Sequence, residues 1–216
     1  MTNIKLVCFD LDDTLIRGIH SVMYLCKING KLDELIEIEK READGEFNWI
    51  EADYHKAKLV IGLSESEVYS NFDKTLEPMK NVKSTINKLN TIGIKCILIT
   101  AGPKQVAKVA SEAWDFDGFF GSHYETDNKI FTGNILEHLG DKGKISCLLE
   151  YCESNNFRPE QCVAVGDGAS DIPLFEYCGT SIALNYCESI IGKATHYLKS
   201  DDLNDLLEFI VETNNS

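Results

Sequence analysis

Apolar positions along this chain fall into short continuous runs and into helical stripes, in alternation. The run Ile4-Lys5-Leu6-Val7-Cys8-Phe9 reads as a strand. Roughly sixty residues without a convincing strand follow it. Within them Leu32, Leu35, Ile36 and Ile38 lie at helical spacing, as do Trp49, Tyr54, Ala57 and Val60. Ser64-Glu65-Ser66-Glu67 has the form of a capping box opening a helix through Val68, Tyr69 and Phe72. Pro78 suits the first turn of a helix that runs to Gly93. Ile94 to Thr100 is the next strand, and a helix from 103 to about 113 follows. Short strands near Phe119–Tyr124 and Lys129–Thr132 flank an Asp127-Asn128 turn. Lys142 opens a helix through Leu149, leading to a strand at 162–165. A short helix near 172–177, strands at Ser181–Leu184 and His196–Leu198, and a helix from Leu203 complete the pattern. Glu212 to Ser216 are expected to fray.

Strands alternating with helices predict an α/β fold, a doubly wound and mainly parallel sheet. The helical stretch after the first strand would form a small cap over the carboxyl ends of the strands. The expected division is a core of residues 1–15 and 76–216, with a cap of residues 16–75.

Composition narrows the class. A length of 216 residues and 44% hydrophobic content allow one domain with a modest insertion. The net charge of −14 disfavours nucleic acid and anionic membranes as partners. With neither a membrane-span pattern nor a signal-peptide pattern, a cytoplasmic protein is expected. Its eight cysteines form no C-x-x-C pair and read as reduced, mostly structural thiols. The five histidines show no metal-ligand spacing.

Candidate chemistry sits at strand ends. Asp10 and Asp12 leave the first strand as an i, i+2 pair, which can place both carboxylates on one side. In a parallel sheet that end of the strand is where ligands bind. Val163 to Asp171 repeats the arrangement, with Asp167 and Asp171 after an apolar strand. Four aspartates aimed at one crevice repel one another, and a bound cation would relieve this.

The order Asp10-Leu11-Asp12-Asp13-Thr14, then Thr100, then Lys142, then Gly166-Asp167-Gly168-Ala169-Ser170-Asp171 resembles the motif set of the haloacid dehalogenase superfamily of phosphotransferases. The resemblance spans essentially the whole chain and implies a phosphatase acting on a small phosphorylated metabolite. By that resemblance Asp10 is the nucleophile that forms an aspartyl-phosphate, and Asp12 is the acid/base. Thr100 with the following Ala101 and Gly102 would bind phosphoryl oxygens, and Lys142 would offset charge, with Lys144 as the alternative. Mg2+ would bind Asp10, the Asp12 carbonyl, Asp167 and Asp171. Asp13 fills a variable position, and Ser170 is either a phosphate contact or a helix-start residue.

The helical insertion and Asp44 to Trp49 are similar to the phosphoserine phosphatase group. Two substrate-reading positions depart from it. That group has a glutamate shortly after the first motif, where this chain reads Arg17-Gly18-Ile19-His20. It has a cap arginine where the nearest residues here are His55-Lys56, and lysine lacks the bidentate fork. Arg17, His20, His55 and Lys56 are therefore the candidates for setting specificity. A phosphotransferase or mutase using the same intermediate, and a non-hydrolytic phospho-acceptor module, are the alternative functions.

Overall fold

The computed structural model describes residues 3–140 and 143–210. Strand β1 (Leu6–Phe9) enters the centre of the molecule and is buried along its whole length. Four helices follow it: α1 (Ser21–Ile28), α2 (Leu32–Ala43), α3 (Trp49–Ala57) and α4 (Glu65–Thr75). Asn48 and Ser64 begin α3 and α4 with reciprocal capping boxes, through Glu51 and Glu67 respectively. Helix α5 (Val82–Thr91) starts four residues beyond Pro78, after Asn81 in a left-handed conformation. Pro78 bridges Ile16 instead, where the chain returns from the helical insertion.

Strand β2 (Lys95–Pro103), α6 (Lys104–Trp114) and the strands β3 (Gly118–Asp127) and β4 (Ile130–Glu137) come next. β3 and β4 pair antiparallel and run longer than their sequence suggested. Their turn centres on Asn128 and Lys129, both with positive φ, as a twisted two-residue hairpin requires. Helix α7 (Gly143–Asn155), β5 (Cys162–Gly166), α8 (Ile172–Tyr177), β6 (Thr180–Leu184) and β7 (His196–Leu198) complete the order. The last segment begins as a 3-10 turn, Leu203–Leu206, and the tail from Glu212 lies outside the described residues.

The seven strands are ordered β4-β3-β2-β1-β5-β6-β7, parallel except at the β3–β4 edge. Side chains alternate across this sheet. Val7, Phe9, Val163 and Val165 face one apolar layer, while Leu6, Cys8, Cys162 and Ala164 face the layer beneath α7 and α8. The inserted helices share the first layer: Leu25, Leu35, Val68 and Phe72 join the same cluster as Val7 and Phe9. Phe72 packs on both Tyr24 and Trp114 of α6. The insertion is thus seated on the sheet through common apolar contacts rather than through a core of its own.

Register positions the chemistry. Phe9 pairs with Leu98 of β2 and Val165 of β5, so Asp10 leaves β1 level with Ile99 and Gly166, one residue before Thr100 and Asp167. The Asp10 amide confirms this by donating to the Val165 carbonyl at 2.9 Å.

Candidate active site

Asp10 follows the parity of Leu6 and Cys8 and emerges on the α7 side of the sheet. There Lys144, Leu148 and Cys152 form the buried stripe of α7, spaced by four residues. Lys144 Nζ donates to Asp10 Oδ1 at 2.7 Å and to Asp171 Oδ1 at 2.8 Å. All three side chains are almost wholly buried. The two carboxylates hold the ammonium well above its usual pKa, overcoming the opposing effect of burial. Lys142, expected at this place, lies outside the described residues; among those described, the lysine that reaches Asp10 is Lys144. Its four-residue spacing from Leu148 was the available sequence signal.

Asp171 is fixed from its other oxygen, which accepts from the amides of Asp167 and Gly168 at 3.1 and 3.2 Å. Gly166 permits that packing, because a Cβ there would sit 2.3 Å from Asp171 Cγ. Thr14, buried in the first turn after β1, donates to Asp167 Oδ1 at 3.1 Å. Burial, then Asp171 and Asp13, push the Asp167 carboxyl up to about 7. Burial likewise raises Asp10, with Lys144 pulling it down and Asp171 and Asp167 pushing it up.

Asp10, Asp167 and Asp171 each place one oxygen within 4.8 Å of the others. Three carboxylates here face one ammonium, which leaves buried negative charge uncompensated. Hard oxygen donors in that balance fit a small divalent cation such as Mg2+. The Asp12 side chain is not part of this trio. Its Oδ1 accepts from the Ser21 amide at 2.6 Å and its Oδ2 from Ser21 Oγ at 2.5 Å. Asp12 is thereby seated on the N-terminus of α1, which His20 caps by accepting from the Met23 amide. Burial raises the Asp12 carboxyl, against the charge of His20 and the Ser21 hydrogen bonds. Ser21 was not singled out in the sequence, since neither a motif nor periodicity marks it.

Thr100 is buried, and its Oγ1 accepts from the Gly102 amide at 2.9 Å. That bond leaves the hydroxyl proton free to donate elsewhere. Gly102 is required by close approach: a Cβ would lie 2.2 Å from Ser21 Oγ and 2.9 Å from Asp12 Oδ2. The Ala101 carbonyl is tied down by Ser122 Oγ at 2.6 Å.

A cavity of about 250 Å3 opens beside these groups, lined by Asp12, Asp13, Ala101 and Gly102 from the core side. His20, Glu42, Trp49 and Lys56 of the insertion face them across it. Two of the four specificity candidates, His20 and Lys56, therefore line the cleft. His20 pairs with Glu39 at 3.0 Å, and that partner with Asp12 raises its pKa despite the opposing effect of burial. Arg17 instead pairs with Asp201 at 3.1 Å on the exposed surface, and His55 packs on Phe47. Neither lines this cavity.

An acid-rich, strand-end site on a parallel sheet, with a buried lysine and a lidded cleft, defines an enzyme class that handles phosphate esters. A profile of the haloacid dehalogenase-like hydrolases matches residues 4–179, and the chain belongs to that family. Within it the chain is of the phosphoserine phosphatase-like type, a phosphoric monoester hydrolase. It is 28% identical over 199 residues to phosphoserine phosphatase of Halobacterium salinarum, covering 91% of this chain and 93% of that protein. The phosphoserine phosphatase of Streptococcus thermophilus is 26% identical over 215 residues, covering 98% and 99%. A substrate-bound phosphoserine phosphatase complex superposes with a TM-score of 0.81 at 24% identity, over 96% of this chain and 99% of that one. A haloacid dehalogenase family hydrolase of Salmonella enterica serovar Typhi gives 0.85 at 21% identity, over 95% and 70%. These structures share the fold. No helix among the described residues is long and apolar enough to cross a membrane.

Proposed function

We propose that this chain is a Mg2+-dependent phosphatase that hydrolyses a small soluble phosphomonoester through phosphorylated Asp10. The observation that carries the reading is the contact of Lys144 with both Asp10 and Asp171, beside Asp167.

A carboxylate attacks a phosphate ester only where the ester's own charge is offset. Asp10 would attack phosphorus in line, and the alcohol would leave with the proton held by Asp12. Burial, which raises the Asp12 carboxyl, favours its holding that proton. Asp12 would then take a proton from the water that hydrolyses the aspartyl-phosphate. Lys144 keeps the Asp10 carboxylate oriented and offsets charge in both steps. The Thr100 hydroxyl and the Ala101 amide would hold phosphoryl oxygens, while the Gly102 amide, expected beside them, is taken by Thr100 Oγ1. Bound by Asp10, Asp167, Asp171 and the Asp12 carbonyl, Mg2+ would neutralise charge on the transferring group.

Residues 16–75 would act as the cap that excludes bulk water from this reaction. Gly18, at φ +80°, and the Glu77-Pro78 junction stand at its two crossings and would serve as hinges. All eight cysteines are free thiols, as a cytosolic setting would keep them.

The test is phosphate release from a panel of small phosphomonoesters, with and without Mg2+, by the wild type and Asp10→Asn. Mg2+-dependent release that disappears in Asp10→Asn supports the reading. Release that survives the substitution overturns it.

A further inference from the structure

Among the described residues Lys56 is the one lysine or arginine lining the cleft, and it is only 7% exposed. A buried ammonium needs partners to repay its lost hydration. Glu42 of α2 supplies one at 2.9 Å, and Asp53 of α3 supplies a second at 3.7 Å. The second distance is an ion pair rather than a hydrogen bond. Asp53 is thus not held in place by Lys56 and must be anchored elsewhere.

Its anchor comes from outside the insertion. Asp53 Oδ2 lies 2.9 Å from His138 Nε2, just past the end of β4. The His138 side chain is 5% exposed and lies between two rings of α3, edge-on to Trp49 at 5.4 Å and stacked near Tyr54 at 6.0 Å. Its Nδ1 is buried and has no hydrogen-bond partner. A buried lone pair without a partner is tolerated better than a buried N–H without one. The network therefore assigns the proton to Nε2, which donates it to Asp53. In that tautomer His138 orients Asp53 while leaving its negative charge to act on Lys56.

These contacts form a line from the hairpin to the cleft: His138, Asp53, Lys56. Lys56 has three N–H donors and spends one on Glu42. The remaining donors call for oxygen acceptors, and the cavity shared with Asp12 is where a leaving alcohol would lie.

We propose that His138, acting through Asp53, positions Lys56 to bind an oxygen function on the leaving alcohol of the substrate. Discrimination among phosphate esters then depends on a contact between the β3–β4 hairpin and α3. The proposal rests on the phosphatase reading above. His138 is a positioning residue, and Lys56 is the group that meets the substrate.

The experiment compares kcat/KM for glycerol 3-phosphate and O-phosphoserine with that for methyl phosphate, whose leaving group carries no second oxygen. The wild type should prefer at least one of the longer esters. His138→Leu should lower that preference about tenfold, mainly through KM, because a charge-assisted hydrogen bond to Asp53 is lost. His138→Gln should keep it within about threefold, since the amide nitrogen still donates to Asp53. Asp53→Asn, which preserves shape and removes the charge, should lower the preference even where His138→Leu folds poorly. In a Lys56→Met background, His138→Leu should change the preference by less than about twofold, because the two act as one unit.

Equal losses for all three esters, equal effects of Leu and Gln at 138, or additive effects with Lys56→Met would overturn the proposal. So would a wild type that shows no preference over methyl phosphate. Methyl phosphate separates the two levels: if it is hydrolysed through Asp10 without these effects, the positioning claim alone fails. If no ester is hydrolysed, the phosphatase reading fails and takes this proposal with it.

Discussion

Lys144 Nζ lies 2.7 Å from Asp10 Oδ1, with both side chains withdrawn from water. A buried cation beside a carboxylate holds it in one orientation, and in the proposed reaction it would offset charge as an anionic ester approaches. The same ammonium reaches Asp171 at 2.8 Å, so one side chain ties the first acidic motif to the last.

Lys144→Met should lower kcat/KM by about a thousandfold, the effect of losing one well-placed charged donor. It should also destabilise the fold by roughly 3–5 kcal/mol, because buried carboxylates lose their partner. Added Mg2+ should recover part of that stability. Lys142→Met should stay within a few fold of wild type. Steady-state kinetics and thermal unfolding of the two variants distinguish the lysines; a greater loss on substituting Lys142 would reverse the assignment.

Asp167 makes the site sensitive to pH. Burial and neighbouring acids raise its carboxyl to about 7 in the folded protein, against an ordinary value near 3.8. Between those values the folded state holds a proton that the unfolded state has released. This group's contribution to stability therefore falls as pH rises from about 4 to about 7 when no divalent cation is present. Cation binding requires the carboxylate and should release a proton near neutrality. Chemical unfolding across that window should show the decline, with Mg2+ restoring stability at its upper end. Calorimetry of Mg2+ binding in buffers of different ionisation heat should detect the proton; its absence would place the cation elsewhere.

Asp12 and Ser21 touch through both carboxylate oxygens, and Gly102 fits against the pair. Gly102→Ala would place a methyl group 2.2 Å from Ser21 Oγ, so Asp12 or Ser21 must move. Displacement of an acid/base group by about 1 Å costs on the order of a hundredfold in rate. The expected result is a hundredfold fall in kcat with little change in unfolding temperature. Unchanged kcat would show that the Asp12 position is not critical.

The sheet and its acids were legible in the sequence because strand ends and their motifs are local signals. Asp10, Asp12, Thr100, Asp167 and Asp171 each follow an apolar run that the fold places side by side. The choice between Lys142 and Lys144 was harder, since the residues lie only two apart in the sequence. Only the stripe Lys144, Leu148, Cys152 separates them. Ser21 depended on where the chain re-enters after Gly18, which periodicity does not record. The partnership of Asp53 with His138 joins residues 85 positions apart. It became visible only once the hairpin was found packed against α3. Arg17 and His55 show the converse: a position near the motif, or near the expected arginine, does not place a side chain in the cleft.

The most direct test of the account is to find the phosphoryl group itself. The enzyme with Mg2+ is quenched in acid during turnover of the best ester, and its peptides are mapped by mass spectrometry. The account predicts a phosphoryl adduct on Asp10 that is absent from Asp10→Asn and accumulates when hydrolysis is slowed. Phosphate release with the adduct on another residue, or with none under conditions that trap acyl phosphates, would contradict it.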